Sequence, residues 1–314
     1  MNSSRQQIIL RFLLLLFGVI CGSTAVIMIK ASTEHPLLVA AYRLLVAGVV
    51  LFPFFWRDLK LASQDNPTVR PYTWQMLGWT LPPAVLLAVH FMSWVIGARM
   101  TQVANASLIA NLTPVVMPFF VWAFFRERVN RQEIVGTLFT LIGLFVLTGS
   151  NLNVSQTSFN GDLICFGSML AFAAYLALGR KNGARLSLWT YMVPLYLIAG
   201  LICLITALFF INPIKGYTST NILLILGLGI IPTVLGHTIL NYSLKFFRGQ
   251  VVSVTNLTQP IFATLLGFLF FAESPRPIFY LAAGIILGGV LIVLNASRTK
   301  YQQAAVQEVK SGEV

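Results

Sequence analysis

ASLIANLTPVVMPFFVWAFFRE (residues 106–127) and VSVTNLTQPIFATLLGFLFFAE (residues 252–273) are two renderings of one pattern. At a constant shift of 146, Ser107, Pro114, Glu127 and Gly143 fall on Ser253, Pro260, Glu273 and Gly289, and the correspondence runs over residues 101–149 and 247–295. Asn111-Leu112-Thr113 and Asn256-Leu257-Thr258 stand just ahead of the proline in each copy. Both copies are continuously apolar instead of alternating, which predicts helices and not barrel strands. A duplicated apolar unit with a proline inside each copy is a pattern of membrane proteins built from internal repeats.

Working outward, the composition sets the medium. Of 314 residues 57% are hydrophobic and 10% charged, with a mean hydropathy of +0.81. A soluble domain carries about 25% charged residues, so the chain reads as an integral membrane protein. Charged residues cluster between apolar stretches, and about 20 residues of helix cross the ~30 Å hydrocarbon layer. Ten spans are expected, near 12–30, 37–56, 74–97, 102–125, 131–150, 161–180, 188–210, 220–244, 250–272 and 277–296. The fold class is therefore all-α integral membrane, with ten transmembrane helices as two five-helix repeats. The polar connection 151–161 divides them, giving a first repeat at 1–150, a second at 151–297 and a disordered cytoplasmic tail at 298–314.

Lys and Arg orient the spans. With a cytoplasmic N-terminus, sixteen of them fall on inside segments, against Lys30, Arg99, Lys215 and Arg276 outside and Arg43 within the second span. The positive-inside rule then places both termini in the cytoplasm of a cell whose inner (plasma) membrane holds the chain. The net charge of +12 is thereby explained without nucleic acid. Five crossings per repeat oblige the second copy to enter from the opposite side, so the repeats are inverted about an axis in the membrane plane. That architecture suits a secondary transporter working by alternating access.

Ionisable and amide groups at bilayer depth mark a candidate substrate site. His90 and His237 lie 24 residues before Pro114 and 23 before Pro260. Either imidazole could carry a coupling proton or donate to a solute, or simply bond a neighbouring helix. Asn111 and Asn256 flank the prolines, whose missing N–H frees the carbonyls of Ala110 and Asn256. Asn241 at i+4 from His237 and Trp94 at i+4 from His90 share their faces, and Ser23 and Tyr175 complete the expected lining. Pro114 and Pro260 are the expected kinks. Arg43 could meet a solute carboxylate or snorkel to the interface. Glu127 and Glu273 read as turn-forming partners of nearby arginines. No Asp or Glu falls near the middle of a span, which disfavours proton-coupled efflux of lipophilic cations. Cys21, Cys165 and Cys203 form no paired motif, so neither a disulfide framework nor a metal site is expected, and no cofactor or enzymatic motif is visible.

Together Gly22-Ser23-Thr24, Lys30, Arg43, Pro114 with Glu127 and Pro260 with Glu273 resemble the drug/metabolite transporter superfamily, and within it the EamA-type permeases. The resemblance implies export of small metabolites such as amino acids or similar zwitterions from a central cavity, with a monomer expected and the lipid bilayer as the chain's surroundings. Import by the same mechanism and flipping of a lipid or lipid-linked sugar are the alternatives.

Overall fold

The computed structural model describes residues 2–65, 73–101, 106, 109–126, 128–149, 156–183, 185–271, 275 and 277–311. Ser107, Glu127, Glu273 and Arg276 lie outside the described residues, so the structure does not bear on the expected turn pairs there. The described residues form helices and no strand, as an apolar medium demands of a chain that must satisfy its own backbone groups.

The elements are α1 (Asn2–Ser23), α2 (Ala25–Ala31), α3 (Pro36–Asp65), α4 (Trp74–Met100), α5 (Thr113–Phe125), α6 (Arg131–Gly149), α7 (Gln156–Gly183) and α8 (Leu188–Leu208). There follow α9 (Ser219–Leu228), a π-helical segment (Gly229–His237), α10 (Thr238–Ser243), α11 (Gly249–Asn256), α12 (Gln259–Phe271) and α13 (Pro277–Ser311). Seven helical stretches among the described residues are long and apolar enough to cross a membrane, and Thr113–Phe125 is apolar but shorter. Phe119, Leu223 and Leu269 stand outward and exposed, a surface matched to hydrocarbon. Residues 298–311, expected as a disordered tail, instead continue α13. Their Gln, Ala, Lys and Glu residues are good helix formers, and no Gly or Pro interrupts them before Gly312.

Several expected spans are broken where the local chemistry loosens the backbone ladder. The first divides at Thr24, whose hydroxyl turns back to Cys21 O at 2.7 Å. Both Asn-Leu-Thr copies form turns ahead of the proline. Thr113 Oγ1 donates to Ala110 O at 3.0 Å, so the carbonyl expected to be freed by Pro114 is taken up by the adjoining hydroxyl. In the second copy Thr258 Oγ1 donates to Thr255 O at 2.8 Å, one residue before the Asn256 carbonyl expected to be freed by Pro260. The span 220–244 contains nine π-helical residues with Pro232 among them; π-type winding within α-helices is frequent at functional positions.

The helices pack in reciprocal pairs. Leu45-Val46-Ala47-Gly48 on α3 and Leu197-Ile198-Ala199-Gly200 on α8 are copies at a shift of 152. A Cβ added at Gly48 would meet Leu197 at 2.5 Å, and one at Gly200 would meet Leu45 at 2.8 Å. On α6 and α13, a Cβ at Gly136 would come within 2.7 Å of Gly289 O, and one at Gly143 within 3.0 Å of Ala282 O. Gly136 with Ala282, and Gly143 with Gly289, are again counterparts at a shift of 146. Contacts that map onto themselves when counterparts are exchanged are what a two-fold relation produces.

Polar clusters tie the bundle at both ends. At one end Lys215 Nζ lies 2.6 Å from Glu34 Oε2, Asn221 Nδ2 donates to Glu34 Oε1 at 3.2 Å, and Arg99 Nη1 donates to Glu34 O at 2.8 Å. At the other, Asn130 and Glu133 cap α6 reciprocally through side chain and backbone N–H, at 2.7 and 2.9 Å. Glu133 Oε1 also receives Arg248 Nη1 at 2.5 Å, and both side chains are buried.

Candidate substrate cavity

A cavity opens among α1, α2, α3, α4, α7, the π-helical segment, α11 and α12, with about 90 Å3 accessible to the centres of water-sized spheres. Its walls combine the aromatic rings of Phe91, Trp94 and Phe172 with His90, His237, Arg43 and the amides of Asn111, Asn256 and Gln259. Gly22 keeps the first helix close to α12, where a Cβ would come within 2.7 Å of Gln259 Nε2.

The two histidines face each other but differ in their bonding. Their ring centroids are 6.3 Å apart. His90 stacks on Phe172 at 4.7 Å, with Nδ1 at 3.1 Å from Ser168 O and 2.9 Å from Ser168 Oγ. Ser168 Oγ in turn donates to His90 O at 2.9 Å. With the serine proton so used, the network assigns the His90 proton to Nδ1 and, in the neutral ring, the lone pair to Nε2. His237 rests against Phe91 at 5.0 Å, and its buried Nδ1 has no hydrogen-bond partner. The π-helical segment carries it there, and the same segment presents Thr233 to Arg43.

Of the residues singled out from the sequence, Ser23, His90, Trp94, Asn111, His237, Asn256 and Pro260 line this cavity. Ser23 spends its hydroxyl on Ile20 O at 2.6 Å, and Gln259 Nε2 donates to Asn256 Oδ1 at 2.8 Å. Tyr175 and Asn241 do not line it. They bond each other, and Asn241 Nδ2 also donates to His237 O at 2.9 Å, so they buttress the turn that carries His237. Pro114 lies outside the lining, its carbonyl accepting from Gln250 Nε2 at 3.3 Å. Arg43 does not snorkel: it is 1% exposed and faces the cavity. Ser168 and Phe172 were missed. A signal existed for the serine, since Gly167-Ser168 repeats Gly22-Ser23 at a shift of 145. Among the described residues no group of three His, Cys, Asp or Glu is placed to hold a metal ion.

A helical membrane bundle around a mixed aromatic and polar cavity defines a class, the multi-pass solute transporters. The model of the EamA-like transporter family matches this sequence twice, over residues 9–149 and 159–295. The chain belongs to the EamA-like transporter family and is a multi-pass membrane transporter, not an enzyme. It is 28% identical over 301 residues to the inner membrane transporter YedA of Escherichia coli, covering 90% of this chain and 92% of that one. It is 22% identical over 284 residues to the transporter YwfM of Bacillus subtilis, covering 88% and 90%. It is 23% identical over 274 residues to the S-adenosylmethionine/S-adenosylhomocysteine transporter of Chlamydia trachomatis, covering 83% and 81%. A solved crystal structure superposes with a TM-score of 0.75 at 19% identity, over 92% of this chain and 98% of that one, a likeness of fold.

Proposed function

We propose that this protein exports small metabolites, amino acids or similar zwitterions, across the inner membrane by alternating access. The observation that carries the reading is the cavity itself, whose walls come from both matched stretches of the chain: His90, Phe91 and Arg43 from the first, Phe172, His237 and Asn256 from the second. In this reading residues 1–150 and 151–297 are two inverted five-helix repeats, ten crossings in all, with both termini cytoplasmic and the chain acting as a monomer. The reciprocal pairs Gly48–Leu197 with Gly200–Leu45, and Gly136–Gly289 with Gly143–Ala282, support the two-fold relation. The end clusters at Glu34 and at Glu133 with Arg248 serve as the two closures that open in alternation.

His90, Trp94, Asn111, His237, Asn256 and Ser23 hold the solute, with Tyr175 and Asn241 supporting His237 from behind. His237, whose Nδ1 is unengaged, is the better proton-coupling candidate of the two histidines. The Chlamydia relative, named for a solute built on an amino acid, fits this substrate class. Direction is set by gradients, because alternating access itself has none. The test is purified protein in liposomes loaded with a labelled amino-acid and metabolite panel, with and without a pH gradient. Saturable flux of a soluble solute is expected. A lipid-linked probe that crosses while every soluble solute stays put would replace the exporter with a flippase.

A further inference from the structure

Arg43 is a cation held inside the bundle with no counter-ion among the described residues. Its Nε and Nη2 donate to Thr233 Oγ1 at 3.1 and 3.0 Å, and its guanidinium lies 4.2 Å from the centre of the Phe91 ring. Among the described residues no hydrogen bond from Nη1 and no ion pair of Arg43 is found. Thr233 Oγ1 gives its own proton to Leu228 O at 2.7 Å across the π-helical turn, which leaves its lone pairs for the arginine. The guanidinium is thus fixed in direction, at the cavity wall, with donors to spare.

A buried, unpaired charge costs several kcal/mol, and in a membrane protein such a group marks a solute or ion path. A guanidinium fork matches a carboxylate in shape. Its single positive charge would neutralise one negative charge, whereas a dianionic phosphate would keep half of its charge unpaired. Among the described residues no Asp or Glu lines the cavity, so an ammonium group finds neutral oxygens and ring faces there and no carboxylate. We propose that Arg43 is the anchor for a carboxylate on the transported solute, so that the cavity takes carboxylates carried on an apolar body and rejects the matching amides and amines. The proposal rests on the reading of the chain as a small-solute transporter.

The test measures carrier-dependent flux in proteoliposomes, with protein-free liposomes subtracted. It uses two matched series: leucine, 4-methylpentanoate, leucinamide and 3-methylbutylamine, and the corresponding phenylalanine set. Acids of at least one series should move at least about tenfold faster than their amides and amines, a difference of ~1.4 kcal/mol. Arg43→Gln should abolish acid flux and Arg43→Lys should retain part of it, each variant being checked for a monodisperse elution profile. Should Arg43→Gln fail to fold, the acid-to-amide ratio of the wild type and the flux of Arg43→Lys decide the matter. Amides and amines carried as fast as acids, or a folded Arg43→Gln carrying acids at the wild-type rate, would overturn the carboxylate anchor and leave the transporter standing. Flux in neither series above the protein-free level overturns both.

Discussion

Two histidines at nearly equivalent sequence positions differ in what they are free to do. His90 has its Nδ1 committed to Ser168, whereas His237 Nδ1 is buried and unbonded. Replacing Asn241 with Ala removes the donor to Tyr175 and to His237 O, which should lower stability by about 1–3 kcal/mol. Because Asn241 is outside the cavity lining, KM for the solute should change little; thermal melting beside transport kinetics separates the two effects. The histidines were legible in the sequence, since an ionisable group at bilayer depth is costly enough to demand a reason. Arg43 was harder to weigh. A long guanidinium seven residues into a span can reach the interface, and nothing linear shows that a threonine on a π-turn awaits it. The turn from His237 to Asn241 is α-helical as expected, but the Asn241 amide is turned to Tyr175 and to His237 O and away from the cavity, which spacing alone does not show.

Among the elements, the breaks and close contacts carry testable energies. Gly48 and Gly200 let α3 and α8 meet over Leu197 and Leu45. Gly48→Ala should destabilise by about 1–3 kcal/mol through overpacking, and Leu197→Ala in the same chain should recover part of that loss, with Gly200→Ala and Leu45→Ala behaving alike. A double-mutant cycle on the thermal midpoint checks both pairs. Glu133 joins the α6 cap to Arg248 on the far side of the interface. Glu133→Ala removes the carboxylate that the buried Arg248 guanidinium meets at 2.5 Å, so about 3–5 kcal/mol should be lost, and less in the Glu133→Ala, Arg248→Met double variant. Chemical denaturation in detergent would show it. The long apolar runs made most helices legible; the breaks within them were foreshadowed only at Pro114 and Pro260. Thr24 and the π-segment depend on hydroxyls and on packing that a hydropathy pattern does not contain.

For the whole molecule, Gly48 with Leu197 and Gly200 with Leu45, like Gly136 with Gly289 and Gly143 with Ala282, pack reciprocally, and the family model matches each half separately. The family resemblance implied a central cavity, but the sequence alone could not show which helix faces meet there, because its lining runs from Gly22 to Ala263 and depends on how each helix is turned. The most direct test is solute flux in proteoliposomes compared across His237→Ala, Asn256→Ala and Asn241→Ala. If the cavity between the halves is the transport site, the first two variants lose flux by about tenfold or more, equivalent to ~1.4 kcal/mol, while Asn241→Ala keeps its apparent affinity. Wild-type flux that neither His237→Ala nor Asn256→Ala disturbs would contradict the account.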